Sequence, residues 1–295
     1  RLPRGYDMCH ISNHMLGRLA RFVKPVVVTA HDVLQFKYRE DMGNPVISKI
    51  YNYLMEQSIK SLRRADRIIC VSDHSRSQVI KQLEVPGEKV VTVHNGLDHQ
   101  LFKPLDQRAA RQKLSLPPRA KVLLHVGSEL RRKNVPGLLK AFVKVKERLG
   151  DVVLARVGEK TEGISKLTTE YKVTSDVVYF QNVSEAELPM IYTAADVLVM
   201  PSFDEGFGFP IIEAQACGTP VITSNCSSMP EVAGGAAILA NPENPEDIAD
   251  SILKVVGLSS ARRENLVAAG IENARRFSWE KCARETLGVY KEVVK

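Results

Sequence analysis

The segment Val197-Leu-Val-Met-Pro-Ser-Phe-Asp-Glu-Gly-Phe-Gly-Phe-Pro-Ile-Ile-Glu213 joins an apolar run to a glycine-rich loop and then to a helix-like run. Residues 197–200 have the continuous apolar character of a strand that is buried on both faces. Gly206 and Gly208 allow the backbone to approach a ligand closely, and a helix beginning near Phe209 would present its N–H groups to a phosphate or a carbohydrate oxygen. The segment therefore predicts an α/β fold with an anion-binding turn at the carboxyl edge of a parallel sheet.

The same alternation of short β-branched runs with amphipathic stretches continues along the chain and predicts parallel sheets with crossover helices. The predicted strands are residues 7–11, 25–30, 67–71, 90–94, 121–126, 152–157, 177–181, 197–200 and 220–223. Helices are predicted at residues 47–63 and 74–83 in the first part of the chain, and a helical pattern follows each strand of the second part. The layout of the second part is that of a doubly wound, Rossmann-like domain.

A polar, basic stretch with Pro104, Pro117 and Pro118 interrupts the alternation and predicts a linker. We therefore expect an N-terminal Rossmann-like domain with its linker at residues 1–117, a C-terminal Rossmann-like domain at 118–277 and a closing helix at 278–295 with Ser278 as its N-cap. Because the first part offers only four strands and lacks an initiating Met, we expect the N-terminal domain to be incomplete.

The composition is that of an ordinary globular protein. The 295 residues are 44% hydrophobic and 25% charged, and no apolar run approaches the roughly 18 residues that a membrane-spanning helix needs. The cysteines are odd in number, are widely spaced and form no CxxC pair, which favours buried thiols in a reducing cytoplasm over a disulfide framework or a zinc site. They are Cys9, Cys70, Cys217, Cys226 and Cys282.

The positive charge is concentrated in the N-terminal half. Residues 1–117 carry 19 Lys or Arg against 11 Asp or Glu, whereas residues 118–295 carry 22 against 23. Such an excess can attract an anionic acceptor or an acidic membrane surface, and a solvated face is an equally good explanation. No basic stripe interleaved with aromatic residues is present, so the pattern does not favour nucleic acid.

Glu205 and Glu213 are the chemically distinctive residues of the opening segment. Glu205 is predicted in the loop and Glu213 about one turn into the following helix, so that both carboxylates face one crevice. Carboxylates accept hydrogen bonds from paired hydroxyls, and the amides of the residues between them can receive a diphosphate. A sugar nucleotide has this combination of groups. The donor-binding candidates between the two acids are Gly206, Phe207, Gly208 and Phe209.

The stretch from Glu205 to Glu213, followed by Ala-Gln-Ala-Cys-Gly-Thr-Pro-Val-Ile222, resembles the paired-glutamate motif of glycosyltransferase family 4. Further segments follow in the order of that family, at residues 65–72, 94–98, 125–127, 132–134 and 229–234. The resemblance implies a GT-B fold, in which two Rossmann-like domains face a cleft. It also implies hexosyl transfer from a nucleotide-diphosphate sugar to a glycan or lipid-linked acceptor, with retention of the anomeric configuration.

The resemblance assigns the donor diphosphate to Arg132 and Lys133. Two cations beside the leaving group would neutralise the charge that develops as the glycosidic bond breaks. Many family members carry an Arg directly after the glycine of the preceding strand, whereas this chain has Gly127-Ser128-Glu129. The departure leaves Arg132 as the candidate for the guanidinium role. A solvated basic run is the alternative explanation.

Other positions take their roles from the same resemblance. His31 follows a strand and would approach the transferred sugar, which Glu205 would position, while Glu213 would hold the ribose. The backbone of Asn182 or Val183 would meet the donor base. His10, Asn13 and His14 are further candidates for acceptor contact, and Ser72 is predicted to be a helix N-cap.

No convincing DxD motif is present, so we expect neither a catalytic metal nor a cofactor beyond the nucleotide-diphosphate sugar itself. GDP-mannose is the favoured donor, and a UDP-hexose is the alternative. A dehydrogenase would need Gly-x-Gly-x-x-Gly after its first strand, which Gly127-Ser128-Glu129 does not supply. A sugar-nucleotide epimerase of the same fold and a non-catalytic nucleotide-sugar-binding fragment remain open alternatives.

Overall fold

The computed structural model describes residues 5–38 and 44–294. The chain divides into two compact units, which are described separately below. The first contains Arg1–Gly96, Glu205–Phe207 and Ser278–Lys295, and the second contains Leu97–Asp204 and Gly208–Phe277. The closing helix and three residues of the glycine-rich loop therefore group with the N-terminal part of the chain.

Strands and helices alternate through most of the chain. The strands are β1 (Cys9–Ile11), β2 (Val26–Ala30), β3 (Arg67–Cys70), β4 (Val90–Thr92), β5 (Lys121–Val126), β6 (Val152–Val157), β7 (Val177–Phe180), β8 (Val197–Met200), β9 (Val221–Ser224) and β10 (Ile238–Ala240). The helices are α1 (Pro45–Ser61), α2 (Asp73–Leu83), α3 (Gln107–Lys113), α4 (Val135–Leu149), α5 (Glu162–Glu170), α6 (Leu188–Ala194), α7 (Phe209–Ala216), α8 (Met229–Ala233), α9 (Pro245–Val256), α10 (Ser260–Ala274) and α11 (Trp279–Val293). Short 3₁₀ helices include His14–Arg21, Leu62–Arg64 and Arg131–Lys133.

The first unit is built on four parallel strands in the order β1-β2-β3-β4. One face of this sheet packs its valines and isoleucines against the end of α1 and against α2, where Ile59, Val79 and Leu83 are buried. On the other face, Val27 and Ile69 pack with Val289 of α11. The last helix of the chain thus completes the hydrophobic core of the first unit, a partnership that no local sequence signal predicts.

The second unit is built on six parallel strands in the order β10-β9-β8-β5-β6-β7. The chain runs outward from β5 to β7 and then returns to start again at β8 beside β5, which is the doubly wound order of a Rossmann-like domain. Helices α4, α5 and α9 contribute to one large apolar core with the sheet, and α7 packs between α6 and α10. Strand β10, which was not predicted, extends the sheet beyond β9.

The stretch predicted as a linker contains a helix that docks on the second unit. Asp106 caps α3 by accepting a hydrogen bond from the Ala109 N–H at 2.6 Å. Arg111 donates to the carboxylate of Asp196 at 2.7 Å and to the carbonyl of Ala194 at 2.9 Å. Polar side chains rather than an apolar stripe hold this helix in place, since Ala110 is its one residue classed as buried, and hydrophobic periodicity therefore does not reveal it.

Candidate functional site

The loops that follow β5 and β8 lie side by side, because these strands are neighbours at the point where the strand order reverses. In open parallel sheets, ligands bind outside the carboxyl ends of the strands at such a point. The two loops are joined directly, since the Phe203 N–H donates to the carbonyl of Arg132 at 2.7 Å. The fold of the second unit therefore brings the predicted basic pair next to the start of the loop after β8.

The loop after β5 forms a 3₁₀ turn over Arg131–Lys133 and ends at Asn134 in a left-handed conformation, with φ of 53°. The Asn134 side chain is buried and donates to the carbonyls of Pro201 and Pro242 at 3.1 and 2.7 Å, while its oxygen caps α4. These bonds hold the turn that carries Arg132 and Lys133. The sequence analysis quoted Asn134 within a motif but assigned it no role.

Arg132 is oriented toward the second loop. Its Nη1 donates to the carbonyl of Asp204 at 3.3 Å. Lys133 bends over the start of its own loop, since a Cβ added at Gly127 would lie 3.4 Å from the Lys133 Cε. The structure thus brings the two predicted diphosphate residues to the same edge of the sheet.

Asp204 anchors the loop after β8 from within. It is buried, and the hydroxyl of Ser227 donates to its Oδ1 at 2.7 Å. The Ser224 hydroxyl donates to the carbonyl of Ser202 at 2.6 Å, so the end of β9 and the segment that follows it support the loop at two points. The sequence analysis gave Asp204 no role, because its partner lies 23 residues away in the chain and a single sequence does not pair them.

The start of α7 lies directly after Gly208, whose φ of 110° belongs to the region that favours glycine. Gly208 is the N-cap and has no side chain with which to cap the first N–H groups of the helix. Phe209 is the first residue of α7, as predicted, and Pro210 follows it. The Ile211 N–H donates to the Gly208 carbonyl at 3.0 Å, and the positive end of the helix dipole lies at this terminus, which suits a phosphate.

Glu213 lies just over one turn into α7 and accepts a hydrogen bond from the hydroxyl of Tyr192 on α6 at 2.6 Å. Burial raises the pKa of the Glu213 carboxyl to about 7, although the bond from Tyr192 acts in the opposite direction. Tyr192 is fully buried, and its carbonyl accepts from the Thr219 hydroxyl at 2.7 Å. Tyr192, which fixes the orientation of this carboxylate, was not among the predicted site residues.

The loop after β7 carries Asn182 and Val183. Asn182 has a φ of 54°, the left-handed conformation that glycine adopts most readily and that Asn tolerates. Gly158 of the neighbouring loop donates its N–H to the carbonyl of Phe180 at 3.1 Å, which ties the two loops together.

Glu129 lies where the sequence departs from the family pattern, and it forms an internal ion pair. Its carboxylate accepts from Arg156 of β6 at 2.9 Å, and the Arg156 side chain is completely buried. Thr161 contacts the same carboxylate. The acid that follows Gly127-Ser128 is therefore held by the protein itself, which is consistent with leaving the guanidinium role to Arg132.

Residues Glu205–Phe207 group with the first unit. The hydroxyls of Ser72 and Ser75 donate to the carbonyl of Gly206 at 2.6 and 2.9 Å. A Cβ added at Gly206 would lie 2.2 Å from the carbonyl oxygen of His31, so only glycine fits there. Glu205 is buried, at 5% exposure. The structure thus brings Gly206 against the end of β2, where His31 lies.

His31 is exposed, and its Nε2 lies 2.9 Å from the carbonyl of Ser12. Its backbone N–H donates to Nδ1 of His14 at 3.2 Å, and His14 is buried with its Nε2 4.0 Å from the Asp32 carboxylate. Burial lowers the pKa of His14, which favours the neutral ring that this hydrogen bond requires. His14, predicted as a possible acceptor contact, therefore supports the backbone of His31 from inside the unit.

Two other predicted acceptor contacts and Ser72 also have structural partners. His10 lies 2.5 Å from the Tyr290 hydroxyl and 2.8 Å from the Thr29 hydroxyl. Asn13 caps the first 3₁₀ helix. Ser72 accepts from the Ser75 N–H at 3.0 Å and is the N-cap of α2, as predicted.

Two further properties concern metals and membranes. Within residues 5–38 and 44–294, no group of three or more His, Cys, Asp or Glu side chains is arranged to hold a metal ion. None of the helices formed by these residues has both the length and the apolar character needed to cross a bilayer.

Comparison with known proteins extends over nearly the whole chain. Residues 106–276, more than half of the chain, match the family model described as Glycosyl transferases group 1, and residues 2–101 match the model described as Glycosyltransferase Family 4. The O-antigen chain mannosyltransferase B of Escherichia coli is 34% identical over 271 residues, which cover 90% of this chain and 70% of that protein.

A second relative and a solved structure agree with this assignment. The D-inositol 3-phosphate glycosyltransferase of a Nocardioides species is 30% identical over 310 residues, covering 97% of this chain and 67% of that protein. Sucrose-phosphate synthase from Thermosynechococcus elongatus is similar in structure with a TM-score of 0.80 at 25% identity, over 98% of this chain and 74% of its own. The chain therefore belongs to the glycosyl transferases group 1 and has the GT-B fold of glycosyltransferase family 4.

Proposed function

We propose that the chain is a retaining hexosyltransferase that moves a hexosyl group, with mannose favoured, from a nucleotide-diphosphate sugar to a glycan or lipid-linked acceptor. One observation carries the proposal. The turn with Arg132 and Lys133 is bonded to the loop after β8 at the reversal of strand order, and that loop leads into the uncapped start of α7. This edge combines two cations with the positive end of the α7 dipole, which suits a diphosphate.

In the proposed reaction, the bond between the anomeric carbon and the diphosphate oxygen breaks, and the nucleoside diphosphate leaves with both electrons. The acceptor hydroxyl oxygen forms the new bond to that carbon, and its proton passes to the leaving phosphate. Arg132, Lys133 and the positive end of the α7 dipole stabilise the negative charge that grows on the leaving group. The protein contributes mainly position and charge, and we propose that no catalytic metal takes part.

We assign the remaining donor groups to the other candidate residues. Glu213 accepts hydrogen bonds from the ribose hydroxyls, and the backbone of Asn182 or Val183 meets the base. Glu205 and His31 are assigned to the transferred sugar. The amides of Gly206, Phe207 and Gly208 complete the set of donor contacts.

The favoured sugar and acceptor are supported by the names of the relatives. The Escherichia coli protein is named as an O-antigen chain mannosyltransferase, which supports a mannosyl donor and a glycan acceptor for this chain. The Nocardioides protein is named as a D-inositol 3-phosphate glycosyltransferase. We retain GDP-mannose as the first donor to test and a UDP-hexose as the second. The five cysteines are thiols, which supports a cytoplasmic location for the reaction.

Nucleotide binding is expected to stabilise the protein against heat. The panel consists of GDP, UDP, ADP, their sugar conjugates and NAD, each in a thermal-shift assay. A ligand present at about 100 times its dissociation constant adds roughly 2.7 kcal/mol of stability to the folded state, and the nucleotide with the largest shift identifies the donor class. A response to NAD alone would contradict the proposed function.

Transfer itself is expected to need an acceptor and to persist in EDTA. Product analysis with and without acceptor separates transfer from epimerisation, because an epimerase converts the donor alone. If the wild-type chain consumes the donor no faster than the double variant Glu205→Ala, Arg132→Ala, the chain binds nucleotide sugar without catalysis. Loss of activity in EDTA that Mg²⁺ restores would overturn the metal-independent mechanism.

The affinity for the nucleoside diphosphate is expected to rise with pH and to level off above about 7. Burial places the pKa of Glu213 at about 7, and ribose hydroxyls donate to the ionised form, so binding at lower pH must first release a proton. Replacement of Tyr192 by Phe removes the hydrogen bond that favours ionisation. The levelling-off point should then move to higher pH in titration calorimetry.

The variant Glu213→Gln provides the second arm of this experiment, because it should remove the pH dependence altogether. Tyr171→Phe is the matched control, since Tyr171 lies at the C-terminal end of α5 and packs against the apolar core of the second unit. An unchanged pH profile in Tyr192→Phe would show that the hydrogen bond from Tyr192 does not control the ionisation of Glu213.

A further inference from the structure

Two buried serines at the start of α2 converge on one carbonyl oxygen. The exposed fractions of Ser72 and Ser75 are 0% and 1%. Their hydroxyls donate to the carbonyl of Gly206 at 2.6 and 2.9 Å, and a carbonyl oxygen has two lone pairs with which to accept both bonds. The positive end of the α2 dipole favours the same oxygen. The first turn of α2 therefore binds this carbonyl through two side chains at once.

The two serines differ in what else they do. Ser72 is the N-cap of α2 and accepts from the Ser75 N–H at 3.0 Å, which leaves its own proton for the Gly206 carbonyl. The Ser75 hydroxyl also lies 3.4 Å from the carbonyl oxygen of His31. The cap uses only the backbone N–H of Ser75, so the hydroxyl of Ser75 has no part in starting the helix. It joins Gly206 to the end of β2 instead.

The segment Glu205–Phe207 is packed closely around this carbonyl. A Cβ added at Gly206 would collide with the carbonyl oxygen of His31. Phe207 is buried, and its ring centroid lies 6.2 Å from that of His94. The three residues of the segment therefore contact the residues that follow β2, β3 and β4, which are neighbouring strands of the first sheet.

The two residues that are assigned to the transferred sugar meet at this point. Glu205 is bonded covalently to Gly206, and the backbone of His31 is in contact with Gly206. A shift of Gly206 therefore changes the separation between the Glu205 carboxylate and the His31 ring. Displacement by about 1 Å of groups that orient a substrate can lower the rate a hundredfold. The carbonyl of Gly206 is thus a point at which small changes in position affect the reaction.

We propose that Ser72 and Ser75 are positioning residues, which set Glu205 and His31 to the separation that the transferred sugar requires. They act through the Gly206 carbonyl and not on the donor itself. This inference rests on the proposed function, which assigns the sugar to these two residues. It adds a requirement for the serine hydroxyls in the transfer step.

The test compares kcat with nucleotide affinity in variants that keep α2 capped. Ser75→Ala removes a buried hydroxyl without changing the cap, and Ser72→Asp keeps a capping oxygen but cannot donate to a carbonyl. With the nucleotide sugar that gives the largest thermal shift, we expect each variant to lower kcat by about tenfold to a hundredfold. The affinity for GDP, or for UDP if it gives the larger shift, should not change in titration calorimetry. The main contacts assigned to the nucleoside diphosphate lie in the second unit, at Arg132, Lys133 and Glu213.

The matched control is Ser77→Ala, which removes a hydroxyl from an exposed position of the same helix. Its kcat and its nucleotide affinity should equal those of the wild type. Hydrogen exchange of peptides that contain residues 203–209 is a second measurement, which does not depend on activity. Exchange there should be faster in Ser75→Ala than in the wild type and in Ser77→Ala, because one of the two bonds to the Gly206 carbonyl is lost.

Wild-type kcat in both Ser75→Ala and Ser72→Asp would overturn the proposal. So would a parallel loss of nucleotide affinity, because the serines would then support the fold in general. A wild-type chain that transfers no sugar from any donor would contradict the proposed function instead. In that case faster hydrogen exchange in Ser75→Ala still supports the hold of the serines on Gly206, and equal exchange overturns it.

Discussion

Replacement of Arg132 by Ala is expected to lower kcat/KM for the donor by about a hundredfold to a thousandfold, the usual effect of removing one group that stabilises developing negative charge. Arg132 is held by its Nη1 bond to the Asp204 carbonyl and by the backbone bond from Phe203 to its own carbonyl. It is therefore preorganised and needs little rearrangement to meet the leaving diphosphate. Steady-state kinetics with the nucleotide sugar that gives the largest thermal shift measures the loss.

Arg131→Ala is the matched control, since Arg131 belongs to the same 3₁₀ turn but is exposed. It removes the same charge from the neighbouring position and should leave kcat/KM close to that of the wild type. Arg132→Lys should recover only part of the activity, because it restores the charge without the planar guanidinium. Equal losses in Arg131→Ala and Arg132→Ala would mean that overall charge, and not the position of Arg132, governs the rate.

Replacement of Asp196 by Ala is expected to lower the free energy of unfolding by roughly 3 to 5 kcal/mol, as when one partner of a buried ion pair is removed. The Asp196 carboxylate accepts from Arg111 at 2.7 Å, and the exposed fractions of the two side chains are 12% and 11%. The same oxygen accepts from the N–H of Val122 at 2.7 Å. The variant therefore removes the carboxylate partner of a largely buried guanidinium and leaves a backbone donor at the start of β5 without its acceptor.

Urea unfolding followed by circular dichroism measures this effect. The matched control is Glu162→Ala, which removes a carboxylate from an ion pair with Lys166 whose side chains are 83% and 76% exposed. We expect no change in its unfolding midpoint, because solvent screens such a pair. The variant Arg111→Met, Asp196→Ala should regain part of the stability lost in Asp196→Ala. If Asp196→Ala unfolds like Glu162→Ala, the pair does not anchor α3.

Some features of the fold could be predicted from the sequence to the residue. Strands β5, β6 and β8 have the bounds that were predicted for them, 121–126, 152–157 and 197–200. They are central in the second sheet and are buried on both faces, so their signal is a continuous apolar run bounded by turn residues. Edge strand β10 and helix α3 lacked such a signal and were not predicted. Their stability depends on contacts with distant segments.

For the candidate site as well, some residues could be predicted from the sequence and others could not. The two glutamates and the glycines could be named from the sequence, because they lie close together on one strand, loop and helix unit. The basic pair was named from the family resemblance. Tyr192, Asp204 and Asn134 were missed or left without a role, because each acts on a residue that is distant in the chain. The raised pKa of Glu213 could not be predicted for the same reason, since it results from burial by elements that are distant in the chain.

The glycine-rich stretch at residues 197–213 shows which features can be predicted from the sequence alone and which cannot. By itself the sequence determined the type and order of the elements there, the family resemblance and the identity of Glu205 and Glu213. Only the tertiary structure decided that Gly206 is required by the carbonyl of His31 and that Arg132 is bonded to the loop after β8. Backbone propensity and hydrophobic period depend on neighbouring residues, whereas close packing and burial depend on segments that the fold brings together.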